Sequence, residues 1–469
     1  MSPVQIPSRA LLAALRRGST STPSFNPLTD IPDLYSYYDV AMTSGYSTSG
    51  GGIITVNDMT GNGRNLVANQ TSNIAVGTGI NGLNSLLFTP ANIGGGPYVS
   101  GADGVPSGGD YTYFAVIQMS EWSAGNIMHN GAAGRDVGLN YNPTFGVGSN
   151  IGGVNGDGDY TSQPYVNKMV MTRYPMIVSV RHKVSTQRLE FRLNGVVTGY
   201  NPYVGSAFTG TDLRVGAWGN DIFNGKISAF GFCSSSLSDA DLEDVEGYLA
   251  ARYNIYPILL ALGGDSRLGG QGGYSDISGG TDWYLGAGNY NTSWQNPAFR
   301  LGNYCYQNAP STNVMVMWYP FFGKNNTTID SYLTTTLDAT SFGNLVTQAH
   351  FIGYGGVNDS GTASQIRDGA YTIVANRKAT GKYTYVGHAT IPVAQSTVVT
   401  TKLLAANALI TDLSNADFIV PAGETAHLSA DGDYNDTAYY NGDKLHLVNA
   451  GSSLMGLASY NAIHTKGII

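Results

Sequence analysis

Charged side chains are scarce in this sequence, at 12% of 469 residues, about half the share of an ordinary soluble protein. Basic excess is missing too. The 24 lysines and arginines are outnumbered by 32 acidic residues, for a net charge of −8, which excludes the electrostatic footprint of a nucleic-acid binder. There are two cysteines, Cys233 and Cys305. With no CxxC or Cys/His cluster around them, they offer neither a disulfide framework nor a zinc site. No apolar run approaches the roughly 20 residues needed to span a membrane, so no membrane span is expected.

What is present points to turn-rich β structure. The chain has 62 glycines and 31 tyrosines, and 42% of it is apolar, enough to build cores despite the low charge. Its length predicts two or three domains.

Residues 1–28 read as an N-terminal helix and linker. MSPVQIPSRALLAALRRGS carries Arg9, Arg16 and Arg17 as its charges. These arginines flank the short apolar stretch in the wrong order for a signal peptide. Such a helix either docks onto a partner as an anchor or frays. GSTSTPSFNPL follows as the linker.

Residues 29–255 contain short β-type runs broken by Gly, Asn and Asp. Among them are YTYFAVIQM (111–119), MIVSVRHK (176–183) and KISAFGF (226–232). RLEFRLNGVV (188–197) alternates, with Leu189, Phe191 and Leu193 on one face, Glu190 and Arg192 on the other, and Asn194-Gly195 as a hairpin turn. This pattern predicts a β-sandwich. One helix closes the region, N-capped by Ser238 and apolar along Leu242, Val245 and Leu249.

After Pro257 the texture changes to alternation of strand and helix. Strand-like runs are ILLALG (258–263), NVMVMWY (313–319), HFIGYGG (350–356), KYTYVGHA (382–389) and ADFIV (416–420). Helix candidates lie near 328–347, 363–379, 400–414 and 449–462. Residues 256–469 are therefore expected to form an α/β domain with a parallel sheet covered on both faces.

Chemistry concentrates at ALGGDSRLGGQGG (261–273). A phosphate-binding loop fails there because Gly270 stands where lysine belongs. A dinucleotide fingerprint fails at Ser275, and a nucleophile elbow fails because Arg267 and Leu268 follow Ser266. Gly264-Asp265-Ser266 remains, at the carboxyl end of a strand, where ligands of open α/β sheets gather. A serine hydroxyl needs a base to act as nucleophile, and an imidazole base needs an orienting acceptor. Of seven histidines, two follow a carboxylate by three residues: Asp443/His446, and the rival Glu424/His427. Gly356-Val357-Asn358-Asp359 brings an amide side chain to another strand end, and Gly302 in FRLGNY offers a backbone N–H.

Two resemblances follow from these residues. VNDMTGNGRNL (56–66), NGLNSLLF (81–88), LNGVV (193–197) and SSLSDADLEDVEGYLAARYNI (235–255) resemble the laminin-G/concanavalin-A-like sandwich domains of phage and bacterial surface proteins. Gly264-Asp265-Ser266, Gly356-x-Asn358-Asp359 and Asp443-x-x-His446, in that order, resemble the SGNH (GDSL-like) hydrolases, whose fold is a flavodoxin-like α/β/α sandwich. The second resemblance implies Ser266 as nucleophile, His446 as general base and Asp443 as its orienter. It implies an oxyanion hole from the backbone of Ser266, Gly302 and Asn358, with Gly286 or Gly288 as substitutes for Gly302. The run RLGGQGGYSD after Ser266 departs from that family's pattern.

The expected protein is a serine esterase that removes O-acyl groups, acetyl foremost, from a surface polysaccharide, without cofactor or metal. Its implied setting is a phage tail or virion surface, with a secreted or bacterial cell-surface location as the alternative. Its implied partners are a host-surface glycan, other virion proteins through the N-terminal segment, and further copies of itself. The competing reading is a non-catalytic adhesin or structural virion protein on the same fold. Asp431/Asp433/Asn435 and Asn155/Asp157/Asp159 have calcium-loop-like spacing but lack the EF-hand glycine and glutamate, and read first as solvated turns. Tyr and Trp in WYLGAGNYNTSW (283–294) read equally as a sugar-stacking surface or as packing.

Overall fold

The computed structural model describes residues 25–469 apart from 89–95, 105, 107–108, 121–124, 131–136, 143–145, 152–168, 171–172, 187, 203–211, 219–220, 270–295 and 322. The N-terminal helix, the Asn155/Asp157/Asp159 loop, the aromatic stretch 283–294, Gly286 and Gly288 all lie outside the described residues.

Two mainly antiparallel layers stack to form the first half, and Ile74–Thr78 and Asn84–Phe88 join them into one hydrogen-bonded sheet. One layer runs in space from Leu34–Asp39 through Gly225–Cys233, Tyr111–Met119, Met176–Lys183 and Arg188–Leu193 to Val196–Pro202. The other runs from Tyr46–Ser49 through Gly52–Val56, Leu66–Ala68, Val99–Gly101, Leu213–Val215, Gly125–Asn130 and Val137–Asn142 to Gly146–Ile151. Tyr113, Ala115 and Ile117 join the core between the layers, while Phe114 and Val116 face outward against Leu242, Val245 and Leu249 of the helix Asp239–Tyr253. That helix is capped by Ser238, whose Oγ accepts from the amide of Asp241 at 3.1 Å.

The RLEFRLNG hairpin forms, and its turn residues Asn194 and Gly195 have φ of 49° and 77°, the paired left-handed geometry of a two-residue hairpin turn. Its polar face is not solvated, however. Glu190 and Arg192 are buried, because the helix Asp239–Tyr253 covers them and supplies Asp239 at 2.9 Å from Arg192.

The second half is a parallel sheet in the spatial order Val314–Phe321, Ile258–Asp265, Gln348–Tyr354, Tyr385–Ala389, Phe418–Val420. This is the flavodoxin-like order, in which the first strand sits between the second and third. Alternate residues of the first strand feed different layers. Leu259 and Ala261 pack with Ile329, Leu333, Ile373 and Val374 of the helices Asn326–Thr335 and Ala363–Ala379. Leu260 and Leu262 pack with Leu301 and Cys305 of Pro297–Asn308 and with Met455 and Ile463 of Asn449–Thr465. Each such leucine, fully removed from water, contributes roughly 1.5–3 kcal/mol.

The halves are joined by more than a linker. Met169–Val170, from the sandwich region of the sequence, adds an antiparallel edge strand to the second sheet, beside Val316 and Met317. Tyr174 donates to the carbonyl of Ala309 at 2.9 Å, and Asn344 donates to Glu243 at 2.8 Å. Cys233 and Cys305 are buried, free thiols. No helix among the described residues is long and apolar enough to cross a membrane.

Candidate active site

The strand Ile258–Asp265 ends in a turn that starts a short helix at Ser266. Glycine is required just before it. A Cβ on Gly264 would stand 2.0 Å from the carbonyl oxygen of Tyr354 on the neighbouring strand, so only glycine lets the two strand ends close. Asp265 is buried, and its carboxylate accepts from the amides of Arg267 at 3.0 Å and Val357 at 3.4 Å.

The histidine arrives from a hairpin far along the chain. Tyr440 and Leu447 bridge at its base, and the amide of Asn441 donates to the carbonyl of His446 at 2.8 Å. Within it, one oxygen of Asp443 accepts from the amides of Leu445 and His446 at 2.9 and 3.0 Å. The other oxygen lies 2.6 Å from His446 Nδ1. His446 Nε2 lies 2.9 Å from Ser266 Oγ. Ser266, His446 and Asp443 thus form a continuous hydrogen-bonded chain, with the serine nearly buried and the other two partly exposed.

Partial burial pushes Asp443 up, but the hydrogen bonds from the His446 ring and from the His446 and Leu445 amides outweigh it, leaving its carboxyl below the ordinary range. A carboxylate so held favours the Nδ1–H tautomer and leaves Nε2 free to accept from a serine hydroxyl. That arrangement can generate a serine nucleophile.

The remaining site residues fall as follows. Asn358 follows the strand Gln348–Tyr354 through Gly356, whose φ of 112° calls for glycine. Its side-chain nitrogen donates to the carbonyl of Lys324 at 3.2 Å, which uses one of two N–H groups. Gly302 is placed differently from its expected role. It lies in the second turn of the helix Pro297–Asn308, where amides are paired along the helix, so its N–H is not a free donor.

The rival pair does not meet. Glu424 accepts from Thr390 Oγ1 at 2.6 Å, whereas the His427 ring stacks on Tyr439 with centroids 4.3 Å apart. Among the described residues no group of three or more His, Cys, Asp or Glu side chains is arranged to hold a metal. Asp433 instead accepts from the amides of Ser429 and Ala430 at 3.0 and 2.9 Å, as a turn does.

No protein-family model matches the chain, and no curated protein matches it. Among solved structures, the chain is similar to domain 4 of AbnA, a GH43 extracellular arabinanase from Geobacillus stearothermophilus in complex with arabinotriose. Identity there is 16%, over 46% of this chain and 98% of that one, with a TM-score of 0.35. It is also similar to a Trypanosoma rangeli sialidase, at 12% identity over 50% of this chain and 36% of that one, TM-score 0.33. A third is the CBM40 of a Ruminococcus gnavus IT-sialidase bound to α2,3 sialyllactose, at 16% identity over 29% and 81%, TM-score 0.25. These likenesses are too slight to carry an activity across.

Proposed function

We propose that the chain is a serine ester hydrolase of SGNH type that removes O-acyl groups, acetyl foremost, from a surface polysaccharide. The observation that carries this reading is the chain Ser266 Oγ–His446 Nε2–Asp443, with contacts of 2.9 and 2.6 Å. Ser266 Oγ attacks the ester carbonyl carbon while its proton passes to His446 Nε2. The resulting imidazolium is stabilised by Asp443. Collapse of the tetrahedral intermediate breaks the ester C–O bond and expels the sugar oxygen, which leaves as the hydroxyl by taking the proton from His446, and water then releases the acyl group by the same route. The amide of Ser266 and the second side-chain N–H of Asn358 are the donors assigned to the oxyanion.

The polysaccharide substrate is supported by the β-sandwich joined to this site and by its sequence resemblance to the sandwich domains of surface proteins. That step is analogy from architecture. On the same grounds the protein is assigned to a phage tail or virion surface, with residues 1–28 toward other virion proteins.

The test is ester hydrolysis by wild type and Ser266→Ala, on nitrophenyl acetate and on acetylated host glycans. Activity confined to wild type supports the reading. An inert wild type that binds the glycans contradicts it and identifies an adhesin.

A further inference from the structure

Arg267 is a charged side chain beside the nucleophile that the proposed chemistry does not use. It follows Ser266 directly, yet its side chain is only 3% exposed. A buried guanidinium must find local acceptors for its donors. Nη1 donates to the carbonyl of Pro392 at 2.7 Å, and Nε lies 3.7 Å from Asp265. Asp265 also holds the Val357 amide. The turn bearing Ser266 is therefore tied to two other strand ends, Val357 after Gln348–Tyr354 and Pro392 after Tyr385–Ala389.

The second tie continues to the histidine. Three residues past Pro392, the amide of Gln395 donates to the carbonyl of Lys444 at 2.8 Å. Lys444 stands between Asp443 and His446. The amide of Val393 donates to the carbonyl of Leu428 at 2.9 Å, beside His427. Gln395, His427 and Lys444 have φ of 58°, 69° and 58°. Left-handed backbone at such residues is costly and persists where surrounding contacts over-determine it. Here all three fall on segments bonded to one another around the hairpin that delivers His446.

We infer that Arg267 is a positioning residue, which acts through the Pro392–Gln395 loop and Lys444 to hold His446 at hydrogen-bonding distance from Ser266. The inference rests on the serine-hydrolase reading. A guanidinium suits the task because its fork reaches a carbonyl and a carboxylate in different directions at once, which an ammonium does less well.

The test is the rate at which a fluorophosphonate labels Ser266 in the full chain, which needs no knowledge of the natural substrate. In that reaction Ser266 Oγ bonds to phosphorus, the P–F bond breaks, fluoride leaves and the hydroxyl proton goes to His446. Arg267→Met is expected to label roughly 10–100-fold more slowly, the scale of a small misplacement of reacting groups. Arg267→Lys should recover part of the rate, and kcat on nitrophenyl acetate should fall with KM unchanged. Lys444 is exposed, with its ammonium 6.0 Å from the Tyr434 ring centre, so Lys444→Val reads the far end of the same tie at a surface position. A β-branched residue resists φ of 58°, so it too should slow labelling, and Lys444→Gly should restore most of the rate. If Arg267→Met does not fold, the two Lys444 variants decide. Wild-type labelling rates in folded Arg267→Met, or in both Lys444 variants, overturn the inference alone. A wild type that is not labelled overturns the hydrolase reading and the inference with it.

Discussion

His446 Nε2 lies 2.9 Å from Ser266 Oγ although 180 residues separate them in the chain. The strand order accounts for the meeting. The first strand is central, its carboxyl end carries Ser266, and the last loop before the final helix brings His446 to the same edge of the sheet.

Asp443→Asn separates orientation from architecture. Asparagine keeps an oxygen for the Leu445 and His446 amides, so the hairpin and the melting temperature should change little. The side chain can no longer be negatively charged beside His446 Nδ1, and turnover should fall on the order of 10²–10⁴-fold. Steady-state kinetics on nitrophenyl acetate, with thermal melts of both proteins, check this.

Acid should weaken the fold through two buried histidines. Burial pushes His350 down to about 4, and neither of its ring nitrogens has a hydrogen-bond partner. Burial likewise pushes His388 down to about 4. The unfolded chain takes up these protons near the ordinary value of about 6.5, while the folded protein resists. Stability is therefore present above that value and is lost as pH falls from there toward 4, by about 2 kcal/mol per histidine between pH 7 and 5. Urea unfolding at the two pH values measures the loss, and His350→Phe should remove about half of it.

Glu246 gives the opposite slope. Burial on the helix Asp239–Tyr253 outweighs Arg192 and raises its carboxyl to about 7. A carboxyl raised in this way favours the protonated folded state, so stability is fully present at low pH and declines as pH rises from the ordinary glutamate value to about 7. Glu246→Gln should raise the unfolding midpoint at pH 8 and have a smaller effect at pH 5. Equal shifts at both pH values would contradict this account.

Much of the fold is readable from local pattern. The runs 111–119 and 176–183 are strands over those same residues, because β-branched and aromatic residues there are bounded by turn formers. The helix 363–379 has the span its sequence predicts, with a capping box at Thr362 and Gln365. The candidate near 328–347 stops at Thr335 instead. Thr335 and Thr336 bond back to the preceding turn's carbonyls, which competes with helix propagation.

At the candidate site, Ser266, Asp443 and His446 could be picked out by type and order, and Ser266 also by its place at a strand end; Asp443 and His446 instead lie in a hairpin before the final helix. Gly302 offers a backbone N–H on sequence grounds, but Asn296-Pro297 just upstream is a helix-start signal, and Asn296 caps that helix through the Phe299 amide at 2.7 Å. Arg267 carries no such signal. Its burial depends on Pro392 and Asp265 closing around it, a tertiary arrangement that no local pattern encodes. The edge strand Met169–Val170 is hidden for the same reason, since two residues show no periodicity and their partner strand lies in the other half of the chain.

The central claim is that Ser266 carries the acyl group during turnover. Intact-mass measurement on protein quenched during hydrolysis of an acetyl ester tests it most directly. The account predicts an acetyl-sized mass increase that maps to Ser266 in wild type, and neither adduct nor turnover in Ser266→Ala. Turnover by Ser266→Ala at the wild-type rate, or an acetyl group found on another residue, would contradict it.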